Sequence, residues 1–144
     1  MADTLPPNLQ RIADLFASSP KSIKLQALLD YSQRLPVPPP HLDTSEMERV
    51  PECQSAFFLA ADVHDDGTVE MWFDAPLEAP TTRGFAGILA EGLAGLSAEE
   101  ILAVPDDVAH RMRLAEAVSP LRMRGMDAIL FRLKRQVAAQ VAGG

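Results

Sequence analysis

Hydrophobic residues recur at helical spacing over the first 35 positions of the chain, in two successive runs. The first run contains Leu9, Ile12, Leu15 and Phe16, and the second contains Ile23, Leu25, Leu28, Leu29 and Leu35. Apolar positions spaced by three and four residues indicate amphipathic helices that bury one side. Four prolines within positions 36–40 cannot continue the second helix, so we expect a stiff, extended connector there.

The pattern then changes from helical spacing to alternation. Short runs rich in aromatic and β-branched residues occupy positions 55–63 and 68–74. In the second run Val69, Met71 and Phe73 take alternate positions, as in a strand that is covered on one face. Gly67 between the runs is free to adopt the positive φ of a tight turn, which predicts a β-hairpin. The polar, acidic residues 41–52 are predicted to form a loop before it.

Helical patterns return in the second half of the chain. A glycine-rich apolar stretch at residues 85–96 predicts a closely packed helix, and Ser97 with Glu100 matches a capping box that opens a short one. A long final helix is predicted from Ser119–Pro120 onward, with an apolar side formed by Met126, Ile129, Leu130, Leu133 and Val137. The order of helices, hairpin and helices, without β-α-β alternation, predicts an α+β fold with helices gathered on a small antiparallel sheet.

Composition places the chain among ordinary globular proteins. It has 144 residues, 47% of them hydrophobic, and a mean hydropathy of +0.01. No apolar run approaches the roughly 20 residues needed to span a bilayer, and the first residues lack the features of a secretory signal. A single cysteine excludes an internal disulfide. We therefore expect a cytoplasmic protein with no membrane association.

Charge is distributed unevenly along the chain. The whole chain carries −7, whereas residues 111–135 hold seven basic and two acidic residues, a local charge of +5. An acidic protein with one basic segment is a poor general nucleic-acid binder, because such binding depends on neutralising phosphates. The asymmetry suits docking onto another protein. A solvated helix face is the alternative interpretation of the same residues.

Conventional enzyme signals are absent from the sequence, which leaves Cys53 as the candidate reactive group. The three histidines show no metal-ligand spacing, and no nucleophile elbow or phosphate-binding glycine loop occurs. Cys53 lies where a loop meets a predicted strand, so it is either a small buried hydrophobe or a loop nucleophile. Neighbouring glutamates would raise the pKa of its thiol unless His41 or an arginine of the basic segment countered them.

Several motifs together resemble one known family. The segments VPECQSAFF, RGFAGIL, SAEEIL and SPLRMRGMDAILFRLK occur in this order, and Ser119 follows Cys53 by 66 positions. They resemble the SufE family, the sulfur acceptors of cysteine desulfurases in the Suf system of iron–sulfur cluster assembly. The resemblance covers about residues 8–140 and implies one domain over residues 1–144. It also implies the α+β fold that the family shares with IscU-type scaffolds.

The resemblance implies a sulfur carrier rather than an enzyme with its own turnover. Cys53 would accept persulfide sulfur from a SufS-type or CsdA-type desulfurase, stimulate that enzyme, and pass the sulfur to the SufBCD complex. No cofactor or metal is expected on this chain, since the pyridoxal phosphate belongs to the desulfurase. A lone thiol suits a carrier, because a second cysteine would displace the sulfur and leave a disulfide.

The resemblance also assigns supporting residues. Gln54 and Ser55 match the loop motif, Arg122 matches an arginine near the cysteine loop, and Arg83 with Gly84 matches a pair that contributes to the desulfurase surface. The sequence departs from the family pattern at Glu52, where glycine is common. Glutamate there places a negative charge beside the thiol and disfavours positive φ.

Three other interpretations remain to be compared with a carrier. The chain could be an adaptor that regulates a desulfurase while Cys53 only packs, and replacing Cys53 with serine would then leave stimulation intact. An iron–sulfur scaffold fails on ligand count, because clusters need several thiolates. A stand-alone thiol enzyme lacks a base and an orienting group to activate the cysteine.

Overall fold

Two helices open the chain in the computed structural model, which describes residues 4–143. They are α1 (Pro7–Ala17) and α2 (Lys21–Gln33), and Pro20 immediately precedes the second. Pro7 suits the first position of α1, because its missing N–H is one that no helical carbonyl would accept and its fixed φ is already helical. Pro20 has an extended backbone and lies just outside α2. Both helices that the sequence pattern predicts are therefore present.

The predicted apolar stripe on α2 is wrong in its detail. Leu28 and Leu35 are buried, but Leu25, Leu29 and Ile23 are exposed, the last to 52%. The buried line of this helix is instead Lys24, Leu28 and Ser32, spaced by four residues. The hydrophobic pattern predicted the wrong side of α2 as buried, because two of the three residues that are buried, Lys24 and Ser32, are polar.

Glycines on the third helix, α3 (Pro80–Gly92), explain that narrow line. A Cβ at Gly84 would lie 2.3 Å from the carbonyl oxygen of Leu28, and one at Gly87 would lie 2.5 Å from that of Tyr31. The backbones of α2 and α3 thus touch, so few large side chains are buried between them. The close packing expected of this glycine-rich stretch is confirmed, although α3 begins at Pro80 and ends at Gly92 rather than covering residues 85–96.

The sheet has three antiparallel strands in the order β1-β2-β3. The predicted hairpin is confirmed as β2 (Phe58–Val63) and β3 (Val69–Asp74), with Leu59 opposite Phe73. The additional strand β1 (Glu48–Arg49) pairs with the start of β2. It lies inside residues 41–52, which the sequence predicted as loop, because two charged residues leave no alternating pattern to detect.

Amide side chains of the last helix cover the β2 edge that β1 leaves open. The Ala61 N–H donates to Gln136 Oε1 at 2.8 Å, and the Val63 N–H donates to Gln140 Oε1 at 2.7 Å. Gln140 Nε2 returns a hydrogen bond of 2.6 Å to the Ala61 carbonyl. Side-chain amides, which both donate and accept, here replace a neighbouring strand and satisfy an edge that would otherwise attract one.

Further helices follow α3, and the fold is α+β as predicted. They are α4 (Ala98–Leu102), α5 (Val108–Arg111) and α6 (Pro120–Gly143). Ser97 and Glu100 form the predicted capping box, and the five apolar residues predicted for the final helix are all buried. Within residues 4–143, none of the helices combines the length and apolar character that crossing a bilayer requires.

Candidate functional site

Cys53 lies in the connection between β1 and β2. The Val50 N–H donates to the Phe57 carbonyl at 2.9 Å, which continues the pairing of the two strands. The Cys53 N–H donates to the Val50 carbonyl at 3.1 Å and closes a turn. We call residues 50–57 the cysteine loop. Cys53 therefore stands on a short loop whose two ends are fixed by the sheet.

The thiol of Cys53 points into the protein, onto α6. The residue is only 4% exposed, and its Sγ lies 3.8 Å from the carbonyl oxygen of Gly125. A Cβ at Gly125 would lie 3.3 Å from the sulfur, closer than comfortable van der Waals contact. Glycine at this position of α6 is thus what leaves room for the thiol.

A cavity of about 270 Å³ adjoins the thiol. The cysteine loop contributes Cys53, Gln54 and Ser55 to its wall, α3 contributes Thr82, and α6 contributes Arg122 among others. The cavity is many times the roughly 30 Å³ that a water molecule occupies in the liquid, so it has room for an additional sulfur atom on Cys53. Four of the residues that the sequence singled out therefore meet in one place.

Arg122 is exposed at the cavity wall rather than buried against the thiol. Its Nη1 donates to the hydroxyl oxygen of Thr81 at 3.0 Å, which links the first turns of α6 and α3. The hydrogen bond holds Arg122, which lines the cavity, against the start of α3. Arg122 is placed where a molecule approaching Cys53 would meet a positive charge.

The other predicted pair, Arg83 and Gly84, has a different place in the fold. The Arg83 guanidinium donates to the carbonyl of Ser32 at 2.9 Å and to that of Ala75. These bonds join the end of α2 to the end of β3, and Gly84 faces the backbone of α2. The contacts of this pair support the fold behind the cavity.

Burial governs the ionisation of Cys53. Together with the smaller effect of the nearby Glu52 carboxylate, it raises the pKa of the thiol from 9.0 to about 11. The thiolate is the nucleophilic form of cysteine. In this arrangement the Cys53 thiol is therefore protonated at neutral pH, and little of its nucleophilic thiolate form is present.

The carboxylate of Glu52 is held by Arg132, one of the arginines of the basic segment that were expected as a counter-charge to the glutamates near Cys53. Arg132 Nε and Nη2 donate to the two oxygens of Glu52 at 3.0 and 2.9 Å, and Nη1 donates to Glu48 at 2.6 Å. Hydrogen bonds from Arg132 hold the pKa of Glu52 below its usual value. Arg135 and Gln136 also bind Glu48. Side chains on one side of α6 thus bind both β1 and the cysteine loop.

The basic segment at residues 111–135 is mostly occupied by ion pairs of this kind. Five of its seven basic residues bind carboxylates of this chain: Arg111, Arg113, Arg132, Lys134 and Arg135. Arg122 and Arg124 make no ion pair with any residue in the part of the chain that the structure describes. Most of the local positive charge therefore holds the fold together rather than forming a free basic surface.

Comparison with known proteins decides the family. The family model for SufE, described as an Fe-S metabolism associated domain, matches residues 10–137. The chain belongs to the SufE family. Two uncharacterised SufE-like proteins from strains of Mycobacterium tuberculosis are each 49% identical over 134 residues, covering 93% of this chain and 94% of theirs.

More distant relatives agree with this membership. SufE-like protein 1 of Arabidopsis thaliana, described as chloroplastic/mitochondrial, is 32% identical over 136 residues, 93% of this chain and 36% of that protein. A solution structure of a hypothetical protein from Thermus thermophilus superimposes with a TM-score of 0.84 at 44% identity, over 96% of this chain and 99% of that one. The resemblance drawn from the motifs is thus confirmed. SufE membership implies a sulfur-transfer role in iron–sulfur metabolism, with partners such as desulfurases.

Proposed function

We propose that Cys53 carries sulfur in the cytoplasm from a cysteine desulfurase of the SufS or CsdA type to the SufBCD complex. The single observation that carries this proposal is the position of the chain's one thiol. Cys53 shares a cavity wall with Gln54, Ser55 and Arg122, the residues that match the family's motifs. The protein acts as a carrier and activator, and turnover belongs to the partner.

The transfer is an exchange between sulfur atoms. The Cys53 thiolate attacks the outer sulfur of the desulfurase persulfide, a new S–S bond forms on Cys53, and the donor cysteine leaves as a thiolate. No net oxidation or reduction occurs, so the step needs no further reactant. The cavity beside Cys53 supports the proposal. Its volume of about 270 Å³ gives the transferred sulfur a place inside the protein, where other thiols reach it less easily.

The burial of Cys53 requires the cysteine loop to move during transfer. A residue that is 4% exposed cannot meet a second cysteine, and a pKa of about 11 leaves it protonated. Binding of the desulfurase must therefore draw the loop outward and restore an ordinary pKa. Leu121 and Arg122, both exposed at the cavity wall, are suited to receive the partner.

The adaptor interpretation is the second candidate, and the same burial favours it. A protonated, enclosed thiol is also what a packing residue would show. An adaptor would stimulate the desulfurase through its surface alone. Cys53→Ser distinguishes the two, since a carrier loses its stimulating effect and an adaptor keeps it.

Intact-mass spectrometry tests the carrier function directly. The protein is incubated with an active cysteine desulfurase and L-cysteine without reductant, and a carrier gains about 32 mass units for each added sulfur. Treatment with a reductant should remove the added mass, and Cys53→Ser should not acquire it. Stimulation by a protein that never gains the mass would favour the adaptor.

A further inference from the structure

Arg132 binds the cysteine loop in a geometry that ordinary surface ion pairs lack. Two parallel N–H···O bonds of 3.0 and 2.9 Å join its guanidinium to Glu52, the residue next to Cys53. Such fork-shaped pairing of arginine with a carboxylate is among the strongest polar contacts in proteins and fixes orientation as well as distance. The position of Glu52 relative to α6 is thus determined by one side chain.

The contact is also partly sheltered from water. The side chain of Arg132 is 18% exposed and that of Glu52 is 34% exposed. The third donor of the same guanidinium reaches Glu48 on β1, so a single cation spans the strand and the loop that follows it. Sheltered, multiply bonded pairs lose less to screening than exposed ones.

We propose that Arg132 is a positioning residue for sulfur transfer. Its bond to Glu52 fastens the cysteine loop to α6 with Cys53 turned inward, and release of that bond sets how often the thiol becomes exposed. The importance of this exposure for function rests on the carrier role proposed above. The fastening itself is a property of the isolated protein and is measured without any partner.

Two possible roles of Arg132 predict opposite effects of removing it. If Arg132 only neutralised Glu52, its loss would leave a bare carboxylate beside Cys53, raise the pKa of the thiol further and slow alkylation. If Arg132 fastens the loop, its loss frees the loop and speeds alkylation. The sign of the change therefore separates a positioning role from an electrostatic one.

The experiment measures the rate at which iodoacetamide alkylates Cys53 in the native protein, followed by intact mass. Arg132→Met should react about tenfold faster than the wild type, a change of ~1.4 kcal/mol in the opening equilibrium. Arg132→Lys should lie between the two, because an ammonium cannot form the fork. The matched control is Arg124→Met on the same helix, and its rate should equal that of the wild type.

Amide hydrogen exchange keeps the test independent of overall stability. The increase in exchange should be confined to the cysteine loop, at Val50 and Cys53, whose N–H groups bond within it. If Arg132→Met proves globally unstable, Arg132→Lys carries the test, because it keeps a cation beside Glu48 but cannot form the fork with Glu52; it should still react faster than the wild type. Alkylation of Arg132→Met, or of Arg132→Lys in its place, that is unchanged or slower would overturn the proposal.

The carrier function and the fastening by Arg132 can fail separately. If Arg132→Met is alkylated faster but the wild type gains no persulfide, the fastening by Arg132 is supported and the carrier function is rejected. Persulfide formation on Cys53 combined with no effect of Arg132 would retain the carrier and remove the fastening.

Discussion

The ionisation of Cys53 gives the sharpest quantitative expectation. The thiol should titrate in the native protein with a midpoint near a pKa of about 11, compared with 9.0 for an ordinary cysteine. Burial beneath α6 is the main cause, since the charged thiolate loses its hydration there. The experiment varies the pH of the native protein, in which Cys53 is buried against α6.

The magnitude follows from the two pKa values. At pH 7 an ordinary thiol is about 1% ionised, whereas a thiol with a pKa of about 11 is about 0.01% ionised, a hundredfold difference. Because the folded value is raised, the protonated thiol stabilises the fold fully below pH 9. That contribution is lost as the pH rises towards about 11, and a difference of two pKa units corresponds to about 3 kcal/mol.

Alkylation rates measured across the pH range provide the assay. Native protein is pulsed with iodoacetamide from neutral to strongly alkaline pH, and the same series in denaturant supplies the ordinary midpoint. Glu52→Gln should lower the native midpoint, because that carboxylate is the second cause of the shift. A native midpoint at or below 9 would refute the reasoning, since the thiol would then not be held in its enclosed position.

Two further changes test how the helices pack, both by denaturant unfolding. Gly84→Ala should lower the free energy of unfolding by about 2 kcal/mol or more, because the added Cβ would lie 2.3 Å from the Leu28 carbonyl oxygen and force α2 and α3 apart. An unchanged free energy of unfolding would mean that the two helices can separate at no cost. Glu116→Gln should destabilise the protein more than the matched control Glu91→Gln. Glu116 lies 3.4 Å from Lys24, whose side chain is only 1% exposed, so its loss leaves a buried cation without its counter-charge. The ion pair of Glu91 is exposed on both sides and contributes little to stability. Equal effects of the two variants would contradict this assignment.

Elements with a strong local pattern could be predicted from the sequence. The hairpin has alternating residues and a turn glycine, and the last helix has a regular apolar side, so both were found. The buried side of α2 could not be predicted, because contact between its backbone and Gly84 and Gly87 buries polar residues there. Strand β1 escaped detection because two residues are too few to show a period.

In the candidate site, too, some residues could be predicted from the sequence and others could not. Cys53, Gln54, Ser55 and Arg122 lie together at one cavity, as the family resemblance implied. The role of Arg132 could not be found, because its partner Glu52 lies 80 positions away and nothing local marks the pair. The sequence analysis named His41 or an arginine of the basic segment as a possible counter-charge to the glutamates near Cys53, but it could not say which of those residues lies beside Glu52.

The place of α6 in the chain has a consequence for how the protein is made. Gly125, against which the Cys53 thiol rests, lies 72 positions after that cysteine, and Gln136 and Gln140, which cover the β2 edge, follow later still. During synthesis the residues of the sheet and Cys53 are therefore all made before the residues of α6 that cover them. In a nascent chain that still lacks α6, neither the thiol nor the open part of the β2 edge has its cover. We expect the time that α6 takes to dock to determine how long a new chain is exposed to oxidation at Cys53 and to pairing at that strand edge.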